Sequence, residues 1–421
     1  MDQLNFSSED KLLLYCAMAS ANEDATTNII EILMSRLNWD YIVKNSIIQE
    51  VSPLLYWNLS KIDGGKSVPA NILANLRKMY HGTFFRNALL YNELSNILNA
   101  FKGFDIDVVV LKGAFLAEVI YKDIGLRPMN DIDLLIKKED FQRVKMEMAK
   151  LMYYPKIFPS KIRENRCTTL SEELQFKNQD RTSIIEIHWD ILPVQSPFKI
   201  DISKLWENVK PVKIAGIESL MLAPEDILLH LCLHLDKHLY SSGAPSATPL
   251  RNYCDIAEVI RHYKETINWS YLLQSSKNYG IEEPIYQGLS VASQCFGAFV
   301  PAEILRQLNS VESSVDFENI LKTKRGSDPK KEETRIAIGY LWQLSKVNGI
   351  WNKARIISGD AFPCSEYMMQ RYSIKNEKQV YVYYVIRFRS AINFGLNILW
   401  NLPFYISNNQ DYIISALERW R

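Results

Sequence analysis

The chain has no surplus of charge. Its 49 Lys and Arg stand against 48 Asp and Glu, a formal net charge of +1 over 421 residues. A protein built chiefly to grip nucleic acid carries a clear basic excess, so a nucleic-acid partner is not expected, although a local basic patch is not excluded. Long apolar runs are missing as well: no window of 18 or more apolar residues occurs, and no membrane span is expected. The nearest stretch, residues 381–400, is broken by Arg387, Arg389 and Asn393 and reads as an amphipathic core helix. The six cysteines contain no C-x-x-C pair, which argues against a zinc cage or a disulfide framework and for reduced, buried thiols. No basic segment followed by an apolar one opens the chain, so a secretory signal is not expected and the compartment reads as cytoplasmic. What is present is ordinary globular material, 47% hydrophobic and 23% charged, which excludes disordered and collagen-like classes and leaves room for two to four domains.

Residues 1–100 read as a string of helices (11–18, 28–37, 40–49, 53–59 and 70–101), each with apolar residues at three- and four-residue spacing. Ser7 is a candidate N-cap for the first. The character changes at Gly103. Residues 105–111 form a β-branched run ending at Lys112-Gly113, a helix is expected over 114–122, and a second strand over 131–137. A helix over 139–153 and a third strand over 182–190 follow. A hairpin is expected over 209–222, with Pro211 placing its first arm at a sheet edge. Pro224, Glu225 and Asp226 open a further helix, and the rest is helical in pattern apart from a charged linker at 322–335. The plan is α+β: a helical region (1–100), a small mixed α/β core (101–222), a second helical region (223–321), then linker and C-terminal helices (322–421).

Three acidic positions in the α/β core carry the chemistry. Asp131 and Asp133 lie two apart at the start of an apolar strand, so both carboxylates project from one face. Glu186 and His188 share a face of Ile184-Ile185-Glu186-Ile187-His188-Trp189, with Ile185, Ile187 and Trp189 on the other. Carboxylates inside apolar strands are costly unless compensated, and a divalent cation, Mg²⁺ or Mn²⁺, is the natural compensation for oxygen ligands. Gly113, where a strand turns into a helix, allows close approach of a phosphate chain. Arg127 offers a planar fork for a phosphate. This is equipment for phosphoryl or nucleotidyl transfer. His188 fits a site position and a satisfied core histidine about equally. His230, His234 and His238 fall at four-residue spacing on one helix, a geometry open to a metal but set among leucines and read mainly as packing, with the lining of a cleft as the alternative.

The string Val110-Leu111-Lys112-Gly113, then Asp123-Ile124-Gly125-Leu126-Arg127 and Asp131-Ile132-Asp133-Leu134-Leu135, then Ile185-Glu186-Ile187-His188-Trp189, resembles a largely uncharacterised bacterial nucleotidyltransferase family of the DNA polymerase β-like superfamily. Asn38-Trp39-Asp40, Pro53-Leu54-Leu55-Tyr56, His230 and His234, Asp255-Ile256-Ala257 and Phe362-Pro363 extend the likeness over most of the chain. The resemblance implies that Asp131, Asp133 and Glu186 hold the metal, that Gly113 wraps the phosphates, and that Lys112 and Arg127 face them. It departs from the wider superfamily in having Gly113-Ala114, with no hydroxyl in the turn, and a longer spacing from Gly113 to Asp131. The implied activity is transfer of a nucleotidyl group from an NTP to an acceptor hydroxyl. A nucleotide-sugar or γ-phosphate donor is the alternative, and a non-catalytic nucleotide-binding scaffold a third reading. Family members often sit among genes for ribosomally made, modified peptides, which makes a peptide acceptor in natural product biosynthesis an implication beside a small molecule.

Overall fold

The computed structural model describes residues 6–19, 23–155, 172–178, 183–192, 196, 198–240, 249–309, 349–363, 365–372, 374 and 379–390. Five helices come first: α1 (Ser8–Cys16), α2 (Glu23–Leu33), α3 (Trp39–Ile48), α4 (Ser52–Lys61) and α5 (Ala70–Lys102). Their starts follow from local chemistry. Ser7 Oγ accepts from the Asp10 amide at 3.1 Å, and Asn38 Oδ1 accepts from the Tyr41 amide at 3.1 Å, each satisfying a donor that the first helical turn leaves orphaned. Their apolar stripes close on a small core of Leu12, Ile29, Ile42, Leu55, Leu59 and Leu76.

The 33-residue α5 delivers the chain to the sheet. Strand β1 (Val108–Val110) leads into α6 (Lys112–Phe115), which continues as a π-helical turn over Leu116–Ile120. Strand β2 (Asp131–Ile136), helix α7 (Phe141–Lys150) and strands β3 (Tyr153–Pro155), β4 (Glu173–Asn178) and β5 (Ile184–His188) follow. Helix α8 (Ile202–Glu207) and the hairpin β6 (Lys210–Ile214) and β7 (Ile217–Met221) complete the core. The seven strands form one mixed sheet in the order β3-β4-β5-β2-β1-β7-β6. Pro211 sits on edge strand β6, where its missing N–H costs no ladder bond.

Three local expectations are corrected. The helix expected over 139–153 ends at Lys150, and Tyr153 already belongs to β3. The helix after β1 begins at Lys112 rather than at residue 114. Strand β4 was not anticipated, although Leu174 and Phe176 alternate with Glu173, Gln175 and Lys177 at the period of a half-buried strand.

Helices α9 (Pro224–Tyr240), α10 (Leu250–His262), α11 (Trp269–Tyr279), α12 (Glu282–Phe296) and α13 (Ala302–Leu308) pack against one another, with α10 touching the π-helical turn after α6, followed by α14 (Ile350–Ala361) and α15 (Ser365–Arg371). One continuous core runs from Leu14 to Leu308 through the sheet and these helices. Cys16, Cys232, Cys254 and Cys295 are free and buried, as expected. Cys167, Cys364, the charged stretch at 322–335 and residues 391–400 lie outside the described residues. Among those described, no helix is long and apolar enough to cross a membrane.

Candidate functional site

Strands β2 and β5 run parallel with Asp131 opposite Ile184, Asp133 opposite Glu186, and Leu135 opposite His188. Strand β4 lies antiparallel on the far side of β5, placing Gln175 opposite Glu186 and Glu173 opposite His188. Residues directly across a ladder share a face, so Asp131, Asp133, Glu186, His188, Glu173 and Gln175 gather on one side of three adjacent strands. The other side carries Ile132, Leu134, Leu174, Phe176, Ile185 and Ile187, all buried. The alternation that buries one face leaves no choice about where the acids go.

Within this cluster the side chains bond to one another. Asp133 is 3% exposed, and its Oδ1 accepts from Lys112 Nζ at 3.0 Å and lies 3.0 Å from His188 Nε2. His188 Nε2 is 3.7 Å from Glu186 Oε2, and its Nδ1 is 3.4 Å from Glu173 Oε2. Gln175 Nε2 donates to Glu186 Oε1 at 2.8 Å. One ligand atom from each of Asp133, Glu186 and His188 falls within 4.8 Å of the others, a spacing able to hold a metal ion. Asp131 stands one step along the same face but outside that trio.

The charges pull in different directions. Burial opposes the ionised form of Asp133, but the Lys112 ammonium and the His188 hydrogen bond outweigh it and hold the carboxyl well below the usual range. Glu186 gains no such cation: burial, then the charges of Asp133, Glu173 and Asp131, push it up to about 8. Asp131 is raised by burial and by Asp133. Burial lowers the Lys112 ammonium, yet the Asp133 charge and hydrogen bond more than compensate, and its affinity for a proton rises. Lys112 reaches this position from a left-handed backbone, φ +38°, which a long side chain rarely adopts and which costs strain.

Gly113 is fixed by packing. A Cβ there would meet Met129 Sδ at 3.1 Å and Arg127 Nη1 at 3.2 Å, so the 127–129 loop lies directly against the turn. Arg127 does not offer a free fork to the cluster. It is buried, and its Nε and Nη2 donate to Asp255 Oδ1 and Oδ2 at 2.8 and 2.7 Å, while the Tyr121 hydroxyl donates to Asp255 Oδ1 at 3.0 Å. The same loop is held from α5. Asn87 Nδ2 donates to the carbonyls of Ile124 and Arg127, at 2.5 and 2.8 Å, and the Tyr80 hydroxyl to Asp123 at 2.8 Å. Arg127 is therefore a strut between the strand that carries the acids and helix α10. Asp255 carried no assigned role in the sequence reading, because its partner lies 128 positions away.

His230 is buried on α9 with both ring nitrogens unpartnered, and burial, with Lys112 and His188 adding to it, holds its imidazole well below the ordinary histidine value. Its ring stacks on that of His234 with centroids 6.4 Å apart. Among the described residues these two do not form a metal-binding group, and the side chain of His238 lies outside the described residues. Glu173 and Gln175 were missed by sequence reasoning. The alternation of β4 was the available signal, but nothing local shows that β4 pairs with β5.

No curated protein and no solved structure matches the chain. A family model described as "uncharacterised nucleotidyltransferase" matches residues 35–297, more than half the chain and the whole of the sheet with the cluster on its face. The chain belongs to that nucleotidyltransferase family.

Proposed function

We propose that the protein is a divalent-metal-dependent transferase that moves a nucleotidyl group from an NTP to an acceptor hydroxyl on a small molecule or a modified peptide. The observation that carries this reading is the in-register pairing of Asp133 with Glu186 on one face of β2 and β5, with His188 closing a trio of ligand atoms within 4.8 Å. The donor set fits a cation: burial and then the neighbouring Asp133 charge push Glu186 up to about 8, and a positive charge between the two carboxylates would relieve both. Asp133 and Glu186 would hold it, with His188 as a nitrogen ligand and Asp131 from the adjoining position of the same face. When bound, the ion polarises a phosphoryl oxygen and acidifies an acceptor hydroxyl. The oxygen ligands favour Mg²⁺ or Mn²⁺, and the imidazole tilts the choice toward Mn²⁺.

The chain's own groups have distinct tasks. Lys112, buried and fully charged against Asp133, brings a cation to the place where an anionic phosphate chain must lie. Gln175 holds the rotamer of Glu186 by a hydrogen bond to its Oε1, and the Glu173 carboxylate lies 3.4 Å from the far ring nitrogen of His188. Gly113 lets the turn beside Lys112 pack closely against Met129 and Arg127. Arg127, tied to Asp255, positions the start of β2 and does not bind substrate.

The test is thermal unfolding of the wild type and Asp133→Asn with Mg²⁺ or Mn²⁺, across the four NTPs and a panel of nucleotide-sugars. A ligand selective for the native state raises the melting temperature by mass action. A metal-dependent rise with an NTP, lost in the variant, supports nucleotidyl transfer. A rise with nucleotide-sugars alone redirects the reading to glycosyl transfer, and no rise at all with any of them removes the enzyme reading.

A further inference from the structure

The carboxylate at the centre of the cluster is already occupied. A metal ion among Asp133, Glu186 and His188 needs a lone pair from each of them. Yet Asp133 Oδ1 accepts from Lys112 Nζ at 3.0 Å and lies 3.0 Å from His188 Nε2. The Asp133 side chain is buried, so Lys112 is part of what covers it. Glu186 is only half-buried, and its one hydrogen-bond partner among the described residues, Gln175, is neutral. Of the two carboxylates in the trio, it is therefore Asp133 that already holds a lysine. An ammonium and a divalent ion on one buried carboxylate repel each other with little water to screen them.

Lys112 is placed to hold that oxygen and to release it. Its side chain is 14% exposed, which sets the ammonium at the edge of the cluster, on a flexible stem with three rotatable donors. Among the described residues Asp133 is its only ion-pair partner. The backbone conformation that aims it, φ +38°, is open to glycine and strained for lysine. Backbone preference does not call for lysine at this position, whereas the bond to Asp133 does.

We infer that Lys112 is a latch on the metal site: in the ligand-free protein its ammonium occupies the Asp133 oxygen, and the phosphate chain of a nucleotide draws it off, so that metal and nucleotide load together. The inference rests on the proposed nucleotidyl-transfer reading. Two ion pairs replace one, as Asp133 exchanges the ammonium for the metal and the ammonium takes a phosphate oxygen. Metal alone binds weakly, because it displaces Lys112 with no anion to receive it. By linkage, phosphate tightens metal and metal tightens phosphate by the same factor.

Calorimetric titration with Mn²⁺ alone tests the latch on the wild type, Lys112→Met and Lys237→Met. Lys237 is a half-exposed cation of the same region, paired with Glu172 at 2.7 Å, and its loss frees no oxygen of Asp133. Lys112→Met is expected to bind Mn²⁺ about tenfold or more tighter than the wild type, and Lys237→Met to stay within about threefold of it. A second measurement needs no variant: acylation of Lys112 by an amine-reactive ester, read by peptide mass spectrometry. In the wild type the labelling of Lys112 is expected to rise severalfold with saturating Mn²⁺ and to fall again when tripolyphosphate is added. A cooperatively folded Lys112→Met that binds Mn²⁺ no tighter than the wild type overturns the latch, as does labelling indifferent to Mn²⁺. Equal gains in Lys112→Met and Lys237→Met also overturn it, since they report a general loss of positive charge. Mn²⁺ that binds none of the three proteins, with no thermal response to Mn²⁺ and NTP together, overturns the metal-dependent reading itself, and the latch falls with it. Mn²⁺ that binds the wild type and Lys112→Met equally leaves that reading intact and removes only the latch.

Discussion

Arg127 and Asp255 meet through two parallel hydrogen bonds in the protein interior, with side chains only 6% and 2% exposed. Removing one member strands the other charge without water, a loss of about 3–5 kcal/mol. Arg127→Ala should therefore unfold at markedly lower urea than the wild type. Arg127→Lys should recover only part of the loss, because an ammonium cannot span both carboxylate oxygens. If Arg127 instead served a phosphate, the variants would raise KM with stability unchanged. Asp226 presents a different titration. Burial, with Glu225 adjoining, pushes its carboxyl up to about 7. Between the ordinary carboxylate range and pH 7 the folded protein keeps a proton that the unfolded chain has lost, so stability falls as pH rises through that window. Asp226→Asn removes the charge and should stabilise the protein at pH 8 by on the order of 2–4 kcal/mol, and far less at pH 5, measured as unfolding free energy at the two pH values.

Helices and strands differ in how much of them can be read locally. Strands β2 and β5 were legible because Asp131 and Asp133 in one, and Glu186 and His188 in the other, stand at two-residue spacing within apolar runs, which fixes both the element and the face. The 33-residue α5 was legible from its long apolar periodicity. The pairing of β4 with β5 was not, since no residue within β4 records which neighbour it joins, and so Glu173 and Gln175 went unseen. The same limit hid the partner of Arg127, whose fork looks identical in sequence whether it meets a phosphate or a distant aspartate. Glycines divide along this line as well. Gly82→Ala gains helix propensity with open space around the new methyl and should raise stability by about 1 kcal/mol. Gly288→Ala, in α12, gains the same propensity but drives its Cβ to 2.5 Å from Cys232 Sγ and 3.1 Å from Ile256 Cδ1. It should be destabilising by about 1–3 kcal/mol. Thermal melts of the two variants should shift in opposite directions.

Across the whole molecule, the continuous core ends at Leu308, while Met368, Ile374 and Val380 form a separate small cluster. Among the described residues the two clusters share no member. The family match likewise stops at residue 297. A chain ending at residue 309 should unfold cooperatively and keep its metal-dependent response to nucleotide. Loss of both would assign the C-terminal helices to the folding unit.

The loop from Asp123 to Arg127 is tied to Tyr80 and Asn87 of α5 on one side and to Asp255 of α10 on the other. It therefore has its final shape before any ligand arrives. Association at the neighbouring acidic cluster pays little ordering entropy, and no slow closing step of this loop intervenes. In stopped-flow mixing the observed rate should climb linearly with nucleotide concentration instead of levelling off, the signature of a socket rather than a jaw.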